Sequence, residues 1–167
     1  MADHEAIKEL AQALVSELSS ASKAVTTAES CTGGWIAKAI TDVSGSSACF
    51  AYGIVSYSNG AKESLLGVQN QTLIDHGAVS EAVVMEMAEA ALNLSGADIG
   101  VSVSGIAGPD GGSEAKPVGT VWFAWAVRKG SRVDTEAICQ HFTGDRDLVR
   151  ELAVVHALQG VRERIES

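Results

Sequence analysis

Apolar positions near the start of the chain recur three and four residues apart. Ile7, Leu10, Leu14 and Leu18 mark one face of a helix over residues 3–21. The period then changes: AVTTA (24–28) is a short β-prone run, ESCTGG (29–34) a tight turn, and WIAKAI (35–40) helical again. SGSSA (44–48) has turn chemistry, and the aromatic, β-branched run FAYGIVSYS (50–58) predicts a strand. Short helices are expected over 59–66 and 71–77, then a longer amphipathic one over 80–94, with Ser80 as its N-cap and Gly96 beyond its end. IGVSVSGIA (99–107) is the most apolar strand and lacks strict polar alternation, as expected of a strand covered on both faces. A glycine-rich loop (108–117) leads to strands 118–127 and 132–142, joined by the hairpin-like RKGS. A long amphipathic helix follows from Thr143.

Alternation of helix with strand, plus one hairpin, predicts an α/β fold: a mixed, mostly parallel sheet of about five strands with helices on both faces. No repeat or linker interrupts residues 1–167, so a single domain is expected. Trp122 and Phe123 are neighbours on one strand and must face opposite sides. One is expected under a helix and another against a partner chain. A homo-oligomer, most simply a homodimer, is the expectation because closed twofold assemblies are the commonest.

Composition narrows the function classes. Aromatics make up only 5% of the chain, so its core must rest on Ala, Val, Ile and Leu. Twelve basic and twenty-one acidic residues give a formal charge of −9, which carries no basic footprint for nucleic acid. An anionic small molecule would have to be held by local groups, because the global field repels it. No stretch approaches the roughly 20 apolar residues of a membrane span, and the polar start MADHEAIKEL does not read as a secretory signal. Cys31, Cys49 and Cys139 are odd in number and widely spaced, which suggests a reducing, cytoplasmic compartment. No metal motif is visible and no cofactor is called for.

Three stretches could carry chemistry, each beyond the carboxyl end of an expected strand, where open α/β sheets bind ligands. In ESCTGG, Ser30 lies at a strand-to-helix turn, where helix-start N–H groups could stabilise an oxyanion. Gly33 and Gly34 would admit a ligand close to the backbone. Equally, Ser30 or Thr32 could simply cap the helix. Cys31 is a rival nucleophile whose thiol a helix start would activate, but no histidine stands in local relation to it. In YSNGAKE, Lys62 could be a desolvated general base with Tyr57 sharing its proton, or a solvated charge paired with Glu63 or Glu29. In SVSGIAGPDGG, Ser104 could donate to a ligand beside Gly105 and Gly108, although Pro109-Asp110-Gly111 is also ordinary turn chemistry. Arg146 opens the last helix, where a cation opposes the helix dipole. It either pairs with Asp145 and Asp147 or binds a ligand anion.

TTAESCTGGWIAKAIT, VSYSNGAKESLLGV, HGAVSEAVVMEMA, SVSGIAGPDGGSEAKPVGTVWFAWA and FTGDRDLVR together resemble the CinA C-terminal domain family, in order and from about Ala24 to Arg150. The resemblance implies a three-layer α/β/α fold. It also implies hydrolysis of the carboxamide of nicotinamide mononucleotide to nicotinate mononucleotide and ammonia, a step of pyridine nucleotide salvage. It implies Ser30 as nucleophile, Lys62 as base and Tyr57 as proton-transfer partner. Ser104 would orient the carboxamide and Arg146 would hold the phosphate or ribose. Thr32, Gly33, Gly34, Gly105 and Gly108 complete the expected substrate-binding set. A non-catalytic nucleotide sensor and an amidohydrolase for another amide are the competing expectations.

Overall fold

The computed structural model describes residues 4–166; the expected helix start at Asp3 and the first residues of the polar N-terminus lie outside them. The elements are α1 (His4–Ala21), β1 (Val25–Glu29), α2 (Trp35–Thr41), β2 (Ile54–Val55), α3 (Asn59–Leu66), α4 (Asn70–His76), α5 (Glu81–Ser95), β3 (Ile99–Gly105), β4 (Thr120–Lys129), β5 (Arg132–His141) and α6 (Arg146–Glu163). The five strands form one sheet in the order β2-β1-β3-β4-β5. The two ladders of β1 are parallel and the two of β4 antiparallel. Four strands thus point one way and β4 alone points the other.

Helices cover both faces. Ile99, Val101 and Val103 of β3 and Val121, Phe123 and Trp125 of β4 join α1, α2 and α6 in one core. Ala124 and Ala126, with half-buried Trp122, face α5 in a second core. The aromatic alternation on β4 therefore needs no partner chain: Phe123 and Trp125 go under α6 and Trp122 goes against the α5 side. β3 does alternate after all, but its polar positions are small rather than exposed. Ser102 donates to Val84 O (2.6 Å), and a Cβ on Gly100 would lie 2.9 Å from Ala88 O. Small side chains here let α5 approach the sheet closely.

α5 begins and ends where expected, with the Ser80 hydroxyl accepting from Val83 N–H and Gly96 left-handed at φ 73°. One expected element shrinks. The strand over 50–58 reduces to Ile54–Val55. Upstream of it the chain meets β1 irregularly: Val25 N–H donates to Cys49 O (2.8 Å) and the Thr26 hydroxyl to Tyr52 O (2.9 Å). Gly53 passes so close to Thr27 that a Cβ would lie 2.0 Å from Thr27 Oγ1. Of the aromatic run only Phe50 packs against the core, while Tyr52 and Tyr57 are exposed. No helix among the described residues is long and apolar enough to cross a membrane.

Candidate active site

Parallel register brings three serines to one edge. Glu29 pairs with Val55 on one side and Val103 on the other. One residue further along, Ser30 N–H donates to Val103 O (3.0 Å), and Ser56 N–H donates to Glu29 O (2.8 Å). Ser30, Ser56 and Ser104 therefore emerge side by side at the carboxyl ends of β1, β2 and β3. All three are buried.

Lys62 reaches this edge from α3. Ser58 caps that helix by accepting from Ala61 N–H (3.0 Å). Lys62 shares a helix face with Leu66, and both are buried, Lys62 with only 1% of its surface exposed. Its Nζ lies 2.9 Å from Ser30 Oγ, 2.8 Å from Ser56 O and 3.4 Å from Tyr57 O. Neither Glu29 nor Glu63 pairs with it among the described residues, so the solvated-charge reading is set aside. Burial pushes the amine below its ordinary range. Two carbonyls and the Ser30 hydroxyl surround Nζ, and all three oxygens accept from it.

The turn after Ser30 is built differently from the expectation. The first amides of α2 are not open to a ligand, because buried Glu29 takes them. Its carboxylate accepts from Ile36 N–H (2.9 Å), Ala37 N–H (3.0 Å) and the Thr32 hydroxyl (2.7 Å). Thr32 is thus turned inward rather than toward substrate. Gly33 and Gly34 also lie off the cavity. They hold left-handed turn conformations at φ 61° and 100°, which glycine adopts without strain. Gly33 N–H closes the turn onto Ser30 O (3.0 Å). The Thr32 amide donates to no backbone acceptor among the described residues, whereas the Cys31 amide lies against its own thiol. Cys31 lines the cavity, but burial pushes its thiol up to about 11, opposite to the activation a helix start would give.

A cleft of about 280 Å³ opens over these groups, lined by Ser30, Lys62, Ser104, Gly105, Gly108 and Arg146 among others. Arg146 does not pair with its flanking aspartates among the described residues; Asp145 instead caps α6 by accepting from Leu148 N–H (2.9 Å). The guanidinium donates to Gly108 O (2.8 Å) and the Tyr57 hydroxyl (3.1 Å). Tyr57 lines the same cleft. Its phenol is joined to Arg146 at the cleft rim, and only its backbone carbonyl reaches Lys62. Gly105 and Gly108 are required by close packing: a Cβ would lie 2.7 Å from Val121 Cγ2 or 2.5 Å from Val118 Cγ1. Two roles went unread in the sequence. One is that of Glu29 beneath the turn. The other is that of Arg150, one helical turn beyond Arg146, which donates to the carbonyls of Cys31 (3.0 Å) and Thr32 (3.2 Å). The i, i+4 spacing of the two arginines was the available signal.

Residues 7–165 match the family described as the CinA C-terminal domain. The chain is 56% identical over 159 residues to a protein of Escherichia coli (strain K12) named nicotinamide-nucleotide amidohydrolase PncC, covering 95% of this chain and 94% of that one. A protein of the same name from Enterobacter agglomerans is 61% identical over 144 residues, 86% of each chain. The crystal structure of a competence damage-inducible protein A from Klebsiella pneumoniae superposes with a TM-score of 0.90 at 42% identity, covering 96% of this chain and 97% of that one. A matched family over nearly the whole length, full-length relatives above half identity and a shared fold lead to one conclusion: this chain belongs to the CinA C-terminal domain family.

Proposed function

We propose that the protein hydrolyses the carboxamide of nicotinamide mononucleotide, with Ser30 as nucleophile and Lys62 as general base. The observation that carries the reading is the 2.9 Å approach of a buried, carboxylate-free amine to the Ser30 hydroxyl. The names of the full-length relatives supply the substrate.

Neutral Lys62 takes the Ser30 proton as Oγ bonds to the carboxamide carbon. The new ammonium is held by the Ser56 and Tyr57 carbonyls, which face it before reaction. The tetrahedral oxyanion is received by the Thr32 amide, which has no backbone acceptor of its own among the described residues. Lys62 then returns its proton to the departing nitrogen, the C–N bond breaks, and ammonia leaves an acyl ester on Ser30. Water attacks that ester with Lys62 again as base, releasing nicotinate mononucleotide and restoring the serine. Ser104 lines the same cleft and orients the carboxamide. Arg146, already held by Gly108 O and Tyr57, presents its charge to the phosphate.

The test is ammonia release from nicotinamide mononucleotide, its riboside and free nicotinamide. Turnover should be strongest with the phosphorylated substrate. Arg146→Ala should raise KM for it by about 10- to 100-fold, as expected for a charge-assisted contact, and bring it level with the riboside. Equal wild-type turnover of all three would refute the phosphate contact. Binding of the nucleotide without ammonia release by the folded wild type would favour a sensor.

A further inference from the structure

The turn that carries Ser30 is gripped from two sides. Glu29 holds it from within the sheet. Arg150, from the first turns of α6, holds it from outside by two carbonyls, Cys31 O at 3.0 Å and Thr32 O at 3.2 Å. The guanidinium also lies over Trp35, 5.6 Å from the ring centroid, which fixes its approach.

The peptide plane gives this grip a chemical consequence. Across a trans peptide, the carbonyl of one residue and the N–H of the next point in opposite directions on one rigid unit. Cys31 C=O and Thr32 N–H share a plane. A cation on that oxygen aims the Thr32 amide away from Arg150 and draws electron density from it, strengthening it as a donor. The neighbouring plane, Ser30 C=O with Cys31 N–H, is fixed in the same sense by Gly33 N–H on Ser30 O (3.0 Å). Both peptide planes of the turn therefore have their carbonyls engaged, one by Arg150 and one by Gly33.

We infer that Arg150 is a positioning residue for amide hydrolysis: by binding the Cys31 carbonyl it orients and polarises the Thr32 amide, which receives the oxyanion, and its second bond, to the Thr32 carbonyl, braces the same turn. The inference rests on the proposed Ser30 chemistry. Arg150 is absent from the lining of the substrate cleft. It borders instead a separate depression of about 690 Å³ between α1 and α2, with Trp35 and Lys38. Loss of Arg150 should thus slow chemistry without weakening substrate binding, and a small guanidinium should be able to enter from the far side.

The experiment compares wild type, Arg150→Ala and Arg150→Lys in two assays, with thermal unfolding as a control. One assay gives kcat and KM for nicotinamide mononucleotide. The other is the rate of Ser30 modification by a fluorophosphonate, read by intact mass, which needs the nucleophile and the oxyanion donor but no nucleotide. Arg150→Ala should lower both kcat and the labelling rate by about 10- to 100-fold, an indirect share of what one oxyanion donor contributes. KM should stay within about twofold, and added ethylguanidinium should restore part of each rate. Arg150→Lys, with one ammonium for two carbonyls, should fall between. A raised KM at unchanged kcat would overturn the inference, as would rates that fall only in step with unfolding and ignore ethylguanidinium. Should the wild type label at Ser30 yet release no ammonia, the substrate assignment fails while labelling still decides the role of Arg150. Wild type that does not label at all overturns both.

Discussion

Lys62→Met should lower kcat for nicotinamide mononucleotide by about 10³- to 10⁴-fold, the scale of a lost general base, in a protein that still folds. Methionine fills similar space, so the loss would be of the lone pair rather than of packing. The pH profile separates the two. Because burial holds the Lys62 amine below its ordinary value of 10.5, wild-type kcat should climb with pH through that depressed value and level off above it. The residual rate of Lys62→Met should lack this limb. The linkage sign is the same for stability. Between the depressed folded value and the ordinary one, the unfolded chain binds more protons. The contribution of Lys62 to stability therefore rises with pH across that window. A wild-type profile flat through neutrality and up to the ordinary lysine range would contradict a titrating Lys62 base.

Glu29→Ala should be the most destabilising single change near the site, by about 3 kcal/mol or more. It strips acceptors from the amides of Ile36 and Ala37 and from the Thr32 hydroxyl, and each buried donor left alone costs about 1–3 kcal/mol. Glu29→Gln keeps the shape and one acceptor oxygen, so it should lose much less, as urea unfolding would measure. Its signature lies in pH. Burial raises the Glu29 carboxyl above 4.5 despite the bonds it accepts. Between 4.5 and the raised value, the folded state binds more protons than the unfolded one. The contribution of Glu29 to stability therefore falls as pH climbs through that window, and Glu29→Gln should abolish this dependence. Glu29→Ala unfolding at the wild-type urea midpoint would mean the turn is held by Arg150 and the sheet alone.

How far the sequence revealed this site depends on the range of each signal. Helices α5 and α6 were legible because their apolar period and their caps are local. The strand expected over 50–58 was not, because aromatic and β-branched content does not by itself say that a segment pairs: only Ile54–Val55 does, and Tyr52 and Tyr57 are exposed. Ser30, Lys62 and Ser104 could each be singled out by position at a strand end or helix start, yet their meeting could not. Ser30 and Lys62 are 32 residues apart, and what joins them is a parallel register that no local pattern encodes. The motif resemblance supplied the pairing that spacing could not. For Thr32, Gly33 and Gly34 the residue types fit a ligand loop and a structural turn equally well; the Thr32 side chain binds the buried carboxylate of Glu29, and the two glycines are absent from the cleft lining. The spacing of Lys62 to Leu66 was a usable clue that the lysine faces inward.

The central claim is that Ser30 attacks the carboxamide under the Lys62 amine. Ammonia release from nicotinamide mononucleotide by wild type and Ser30→Ala, with intact mass taken during wild-type turnover, tests it most directly. The account predicts release that vanishes in Ser30→Ala while nucleotide binding persists, and a transient acyl adduct on Ser30 in the wild type. Full release by folded Ser30→Ala would contradict it and leave a directly activated water as the attacking group.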